Sequence, residues 1–257
     1  MNQILLSPGV VRSNPEVTKS LSFQHTYMHR DKEFKELYKN IDIALKNIVC
    51  TNPNNYLSMI VTGSGTTSMD EVINTYVNEG KTLFITNGLF GERWEEIGKF
   101  YNTNNVYSYN LNWGENIDIS SLLMKILKHQ IQHVIMVHCD TSVGILNDIN
   151  EIGNEIKKLN ENITFIVDAV SSFGVVDINM EEDKIDIIVT NPNKAIAAHM
   201  GLGIIIGSHK CFKNVKEEGL SYSLNLKRHY KLSSKYETCN SVSISSMNAL
   251  LTSLNNY

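Results

Sequence analysis

Short apolar runs recur along the chain at Leu57 to Val61, Thr82 to Ile85, His133 to Val137, Thr164 to Val167, Ile185 to Val189 and Leu202 to Ile206. Runs that are apolar at successive positions suit strands covered on both faces. Between several of them apolar residues return at helical spacing, over Thr66 to Val77, Glu92 to Tyr101, Ile119 to Leu127 and Ile149 to Leu159. An earlier stretch, Asp31 to about Val49, carries Phe34, Leu37, Tyr38, Ile41, Ile43, Leu45 and Ile48 at the same period. Strands alternating with helices predict an α/β fold: three layers, with a mostly parallel sheet between two layers of helices. Ser7-Pro8-Gly9 reads as a turn, the region from Ser208 onward as helical and more polar, and Ser246 to Leu254 as a last helix.

With 257 residues and no internal repeat or low-complexity tract, the chain predicts an N-terminal arm over 1–22 and one large domain over 23–257. A net charge of -4 lacks the basic footprint of a general nucleic-acid binder, which leaves a small molecule as the better partner. Cys50, Cys139, Cys211 and Cys239 are far apart and form no CxxC pair, as expected of a cytoplasmic chain. The N-terminus has no basic region followed by a long apolar run, and no stretch reaches the length of a membrane span.

In such a sheet, ligands sit beyond the carboxyl ends of the strands, and three features stand there. Gly63-Ser64-Gly65-Thr66-Thr67 follows a strand and opens a helix, so its backbone N–H groups could hold a phosphate. Taken alone it reads more often as a strand-to-helix turn capped by Ser or Thr. It is neither a Walker motif nor a GxGxxG, because Ser68 stands where the third glycine belongs. Asp168 ends a strand beside small residues; it is placed to pair with a protonated ring nitrogen or simply to cap a turn. Lys194 follows the next strand in Thr190-Asn191-Pro192-Asn193-Lys194-Ala195. A lysine beside an apolar wall can condense with an aldehyde, although most loop lysines are solvated charges. The spacing of 26 residues (194 − 168) between aspartate and lysine, with the glycine-rich loop upstream, favours the three acting together.

At this point the sequence resembles the class V group of fold-type I pyridoxal 5'-phosphate (PLP) enzymes, within it the 2-aminoethylphosphonate and alanine-glyoxylate aminotransferases. The blocks that carry the resemblance are Leu5-Leu6-Ser7-Pro8-Gly9, His29 to Phe34, Gly63 to Thr66, Asn87-Gly88-Leu89-Phe90-Gly91-Glu92-Arg93, His138-Cys139-Asp140-Thr141-Ser142-Val143-Gly144, Val167 to Gly174, and Asn193-Lys194. The resemblance implies that Ser64, Gly65 and Thr66 hold the cofactor phosphate, Phe90 stacks on the pyridine ring, Thr141 bonds the cofactor near its phenolic oxygen or phosphate, Asp168 pairs with the ring nitrogen and Lys194 carries the cofactor as a Schiff base. Phe90 has the plainer alternative of a core residue at a helix start, and Thr141 that of a strand-end cap. His138, Cys139 and Asp140 are not expected to bind a metal, because adjacent strand residues point to opposite faces. Arg93 is expected to be structural.

The implied reaction is transamination between an amino donor and an oxo acid. Asn193 before Lys194 and the His29-Arg30 block look more like the 2-aminoethylphosphonate–pyruvate branch than the alanine-glyoxylate/serine-pyruvate type, which is the alternative, together with a non-catalytic fragment of the fold. A homodimer is implied, with Ser245 in Ile244-Ser245-Ser246 standing in for a threonine that reaches the neighbouring subunit's phosphate. Met200 stands where the family has a proline. The family continues into a smaller C-terminal domain whose arginine binds the substrate carboxylate; the arginines here are Arg12, Arg30, Arg93 and Arg228, none at that place. The expectation is that this domain is missing and that the chain alone has little activity.

Overall fold

The computed structural model describes residue 9, residues 11–23, 25–216 and 221–257; the Leu5 to Pro8 part of the first block, including most of the predicted turn, lies outside them. Helices α1 (Pro15–Ser20) and α2 (Lys32–Val49) lead into β1 (Tyr56–Thr62), α3 (Gly65–Glu79), β2 (Thr82–Thr86), α4 (Leu89–Asn102), β3 (Val106–Asn110), α5 (Ile119–His129) and β4 (His133–Val137). A small hairpin of β5 (Cys139–Asp140) and β6 (Ile145–Leu146) follows, then α6 (Ile149–Leu159), β7 (Thr164–Asp168), β8 (Ile187–Thr190) and β9 (Leu202–Ser208). Helices α7 (His209–Asn214), α8 (Leu226–Ser233) and α9 (Ile244–Asn255) complete the order.

The main sheet is ordered β1-β9-β8-β7-β4-β2-β3. Pairings β2–β3, β2–β4, β4–β7 and β7–β8 are parallel, whereas β9 runs antiparallel to both β1 and β8. The sheet is therefore mostly parallel, as expected, with β9 reversed. Successive side chains of one strand go to opposite faces, so Phe165 and Val167 join the apolar cluster of α2, α5, α6 and α9 while Ile166 joins that of α3, α4, α7 and α8. This double burial is why the strands read as continuous apolar runs, and it gives the three layers. Helix α1 rests on α9, and its Val17 is buried.

Three sequence readings need adjustment. The strand Val106–Asn110 carries Tyr107, Ser108, Tyr109 and Asn110, and as the last strand of the sheet it is only half buried, so it lacks an apolar run. The fifth predicted strand begins at Ile187 rather than Ile185, because Lys184 turns the chain at φ 58 just before it. Helix α4 begins at Leu89 rather than Glu92, which draws Phe90 into the helix's first turn.

Register fixes what meets at the strand ends. Asp168 is paired across to Val137 on one side and to Val189 on the other. The segments leaving β4, β7 and β8 therefore emerge side by side at one sheet edge. Thr62, the end of β1, is paired to Leu202 where β9 starts, so the Gly63 loop opens at the same edge.

Candidate active site

The glycine-rich loop is held by its own chemistry. Gly63 has φ 144 and a Cβ there would lie 2.4 Å from Thr67 Oγ1, so only glycine fits. Ser64 caps α3 reciprocally: its Oγ accepts from Thr67 N at 3.4 Å and its N–H donates to Thr67 Oγ1 at 3.0 Å. The capped-turn reading thus holds for the Ser64 hydroxyl. It does not exhaust the loop, since the first N–H groups of a helix have no intrahelical partner. A Cβ on Gly65 would stand 3.1 Å from both Asn191 Nδ2 and Val170 Cγ2. The start of α3 therefore abuts the loops that carry Asp168 and Lys194. Asn191 is buried in that contact, and its Oδ1 has no hydrogen-bond partner among the described residues.

Asp168 is buried at the end of β7. Its Oδ1 accepts from Val170 N at 2.8 Å and its Oδ2 from the indole Nε1 of Trp94 at 2.9 Å. Burial pushes its carboxyl above the usual range; the Trp94 and Val170 bonds and the Lys194 charge pull the other way, and Asp140 adds to the rise. Lys194 is half-buried, its Nζ 3.0 Å from Ser171 Oγ and 5.8 Å from the centre of the Phe90 ring. The lysine loop is a tight turn, with Ala197 N bonded to Lys194 O at 2.8 Å and Ala198 N to Pro192 O at 2.9 Å. It places Ala197 at φ 55, a conformation costly for a residue with a Cβ and held only where the surroundings fix it. Here they do: Ser253 of α9 donates its hydroxyl to Ile196 O, and Val11 N reaches Asn193 O at 3.3 Å.

Phe90 is half-buried, and the Arg93 guanidinium lies 5.2 Å from its ring centre. Thr141 is half-buried in the turn between β5 and β6. Ser245 sits in the first turn of α9, where Ser243 supplies the cap to Ser246 N at 3.1 Å; among the described residues no hydrogen bond joins it to the groups above. The structure thus brings together Gly65, Phe90, Asp168 and Lys194.

The residues read as doubtful metal ligands have other work. His138 meets Ser172 Oγ at 2.9 Å through Nδ1, and burial pushes it down to about 4. Asp140 accepts the backbone N–H of Phe90 at 3.0 Å and of Gly91 at 3.3 Å, and the Ser142 hydroxyl at 2.6 Å. Burial, then Asp140, raises the Cys139 thiol. Among the described residues no group of three or more His, Cys, Asp or Glu is placed to hold a metal ion, and no helix is long and apolar enough to cross a membrane. Sequence reasoning passed over Trp94, Ser171, Asn191 and the anchoring part of Asp140. Only Trp94 left a trace, four positions after Phe90 and so on the same helix face.

Comparison with known proteins fits this geometry. The family model described as aminotransferase class V matches residues 10–257. A bifunctional phosphonoacetaldehyde hydrolase/aminoethylphosphonate transaminase of Clostridioides difficile is 33% identical over 231 residues, covering 87% of this chain and 34% of that one. A 2-aminoethylphosphonate–pyruvate transaminase of Lysinibacillus sphaericus is 32% identical over 238 residues, covering 91% of this chain and 63% of the relative. The chain thus spans between about a third and just under two thirds of these relatives' lengths. Among solved structures, an alanine–glyoxylate aminotransferase from Nostoc sp. superposes with a TM-score of 0.90 at 22% identity, covering 100% of this chain and 68% of that one. An aspartate aminotransferase from Thermus thermophilus does so with 0.88 at 24%, covering 99% and 70%. The strand-end site, the fold and the match over nearly the whole chain agree: this chain belongs to the class-V aminotransferase family, whose members depend on pyridoxal 5'-phosphate.

Proposed function

We propose that this chain forms the cofactor-binding part of an aminotransferase that moves an amino group from 2-aminoethylphosphonate to pyruvate. The observation that carries the reading is the convergence of the Lys194 amine, the buried Asp168 carboxylate and the Phe90 ring at one sheet edge. The residues present fit the cofactor. Gly65 keeps the start of α3 open beside the buried Asn191 side chain, whose donor Nδ2 faces Gly65 and whose Oδ1 has no hydrogen-bond partner among the described residues.

On this reading the N–H groups at Ser64, Gly65 and Thr66 hold the phosphate, with Thr141 as a further hydrogen-bonding group. Phe90 orients the ring by stacking. Asp168 holds a proton on the ring nitrogen; an ionised carboxylate is the partner that favours this. Bound PLP supplies an aldehyde that accepts amines and a ring that draws electrons from the carbon losing its proton. Lys194 Nζ is both the attachment point and, once released, the base that carries that proton. Its contact with Ser171 Oγ keeps it on the loop side of the site. Ser245 is assigned to the site of a second subunit in a homodimer.

The choice of 2-aminoethylphosphonate and pyruvate rests on the names of the relatives at about 30% identity and on Asn193 and His29-Arg30. The test has two parts. Borohydride reduction in the presence of PLP, followed by peptide mapping, is expected to place a pyridoxyl group on Lys194; a label elsewhere overturns the site. Alanine formation from 2-aminoethylphosphonate and pyruvate is then measured. Labelling of Lys194 without alanine formation overturns the substrate and leaves the cofactor reading intact.

A further inference from the structure

Helix α4 carries two residues that face the site one turn apart, Phe90 and Trp94. Trp94 is 1% exposed, which for so large a side chain is ordinarily a matter of core packing. Its indole is different from a core ring in one respect: a buried N–H needs an acceptor. The acceptor it has is Oδ2 of Asp168, at 2.9 Å. With Val170 N on Oδ1 at 2.8 Å, each carboxylate oxygen has one fixed donor and keeps a further lone pair.

We propose that Trp94 is a positioning residue for Asp168, its indole N–H fixing the orientation of the carboxylate and favouring its charged form. The proposal rests on the cofactor reading given above for its functional meaning, but its physical content concerns this chain's own residues. A carboxylate buried at a strand end is under pressure to take up a proton, and burial is the largest influence on Asp168, pushing its carboxyl up. The charged and titratable groups around it are Lys194 from the loop after β8, Asp140 and Cys139 from β5, and His138, whose backbone N–H is bonded to Asp168 O at 2.9 Å. Lys194 favours the charge and Asp140 opposes it. Trp94 and Val170 are the direct donors that offset the burial, and of the two only Trp94 can be changed without altering the backbone.

The arrangement also ties the two halves of the site together. Gly91 lets α4 lie against β2, where a Cβ would come within 3.0 Å of Thr86 Cα, and Gly98 does the same against Phe84, where it would come within 2.6 Å. Asp140 anchors the helix start. A helix so fixed sets the height of Phe90 and the direction of the Trp94 indole together.

The chain has two tryptophans, which makes the test direct. Trp113 is exposed and bonds Glu92 Oε1 at 2.7 Å, so its indole signal is distinct from that of Trp94. In the apoprotein, the Trp94 indole N–H resonance is expected to move with pH along the same curve as the carboxyl carbon of Asp168, and to lose that movement in Asp168→Asn. In Trp94→Phe, the Asp168 midpoint is expected to rise by about one to two pH units, the loss of one hydrogen bond to a charged group. An indole signal that stays still while Asp168 titrates overturns the proposal, as does an unchanged midpoint in folded Trp94→Phe. If that variant does not fold, the wild-type titration decides alone. Neither measurement uses PLP, so failure of Lys194 to take the cofactor would strike the proposed function and not this pairing.

Discussion

The carboxylate of Asp140 accepts the backbone N–H of Phe90 at 3.0 Å, so the hairpin after β4 holds the first turn of the helix after β2. Gly91 N at 3.3 Å shares the same oxygen, and a carboxylate at a helix N-terminus is favoured by the helix dipole. Asp140 is fully buried, so Asp140→Ala leaves the Phe90, Gly91 and Ser142 N–H groups and the Ser142 hydroxyl without their charged acceptor. A loss of about 2–4 kcal/mol is expected, measured by denaturant unfolding, with weaker PLP binding as Phe90 moves. Full stability in the variant would mean that the anchor lies elsewhere.

Gly88 gives the steric counterpart. A Cβ there would lie 2.5 Å from Asp140 Cγ, so Gly88→Ala forces apart the contact that Asp140→Ala removes. The two changes should not add: the double variant is expected to unfold at nearly the denaturant concentration of Asp140→Ala alone.

Ser171 is the group in contact with the lysine amine, at 3.0 Å. Ser171→Ala is expected to slow covalent capture of PLP by about tenfold, the equivalent of one modest hydrogen bond, while leaving the fold unchanged. Stopped-flow absorbance on mixing apoprotein with PLP reads this rate. A rate equal to wild type would assign Ser171 to the loop rather than to the amine.

Asp168 couples function to stability through its sign. Its folded value is raised above 3.8, chiefly by burial, so the folded chain holds this proton more tightly than the unfolded one. Its contribution is therefore greatest below pH 3.8 and declines as pH rises through the raised value. Asp168→Asn is expected to remove that part of the decline in thermal unfolding, and at the same time to impair the half-reaction followed by cofactor absorbance. An unimpaired half-reaction would reduce Asp168 to a turn cap.

A second buried pair lies away from the site. His229 Nδ1 is 2.8 Å from Glu71 Oε1, both buried between α8 and α3. Burial pulls His229 down, but Cys239 and Glu71 outweigh it and carry the imidazole up to about 10. Burial also raises Glu71, against the pull of His229. The two directions conflict over one proton, and the 2.8 Å contact favours an imidazolium facing a carboxylate. A raised histidine gives stability that is complete below its ordinary 6.5 and is lost as pH climbs toward about 10. A fall of about 1–3 kcal/mol over that window is expected, and His229→Gln should flatten it; a wild-type curve already flat there would place the pair in its neutral form.

Much of this protein was legible in its sequence, because strands covered on both faces must be apolar at successive positions and helices must repeat their apolar face. Ile149–Leu159 and His133–Val137 lie where the pattern places them, Asp168 ends β7, and Lys194 lies in the loop after β8. Val106–Asn110 escaped, because an edge strand needs no apolar run. Tertiary structure alone decided the partners. Nothing in the order of residues says that β9 inserts antiparallel between β1 and β8, or that the Trp94 indole would find Asp168 74 positions away. Those contacts depend on strand register and on how closely α4 approaches the sheet. They arise where distant segments compete for the same buried acceptor, and a local pattern carries no information about which segment wins.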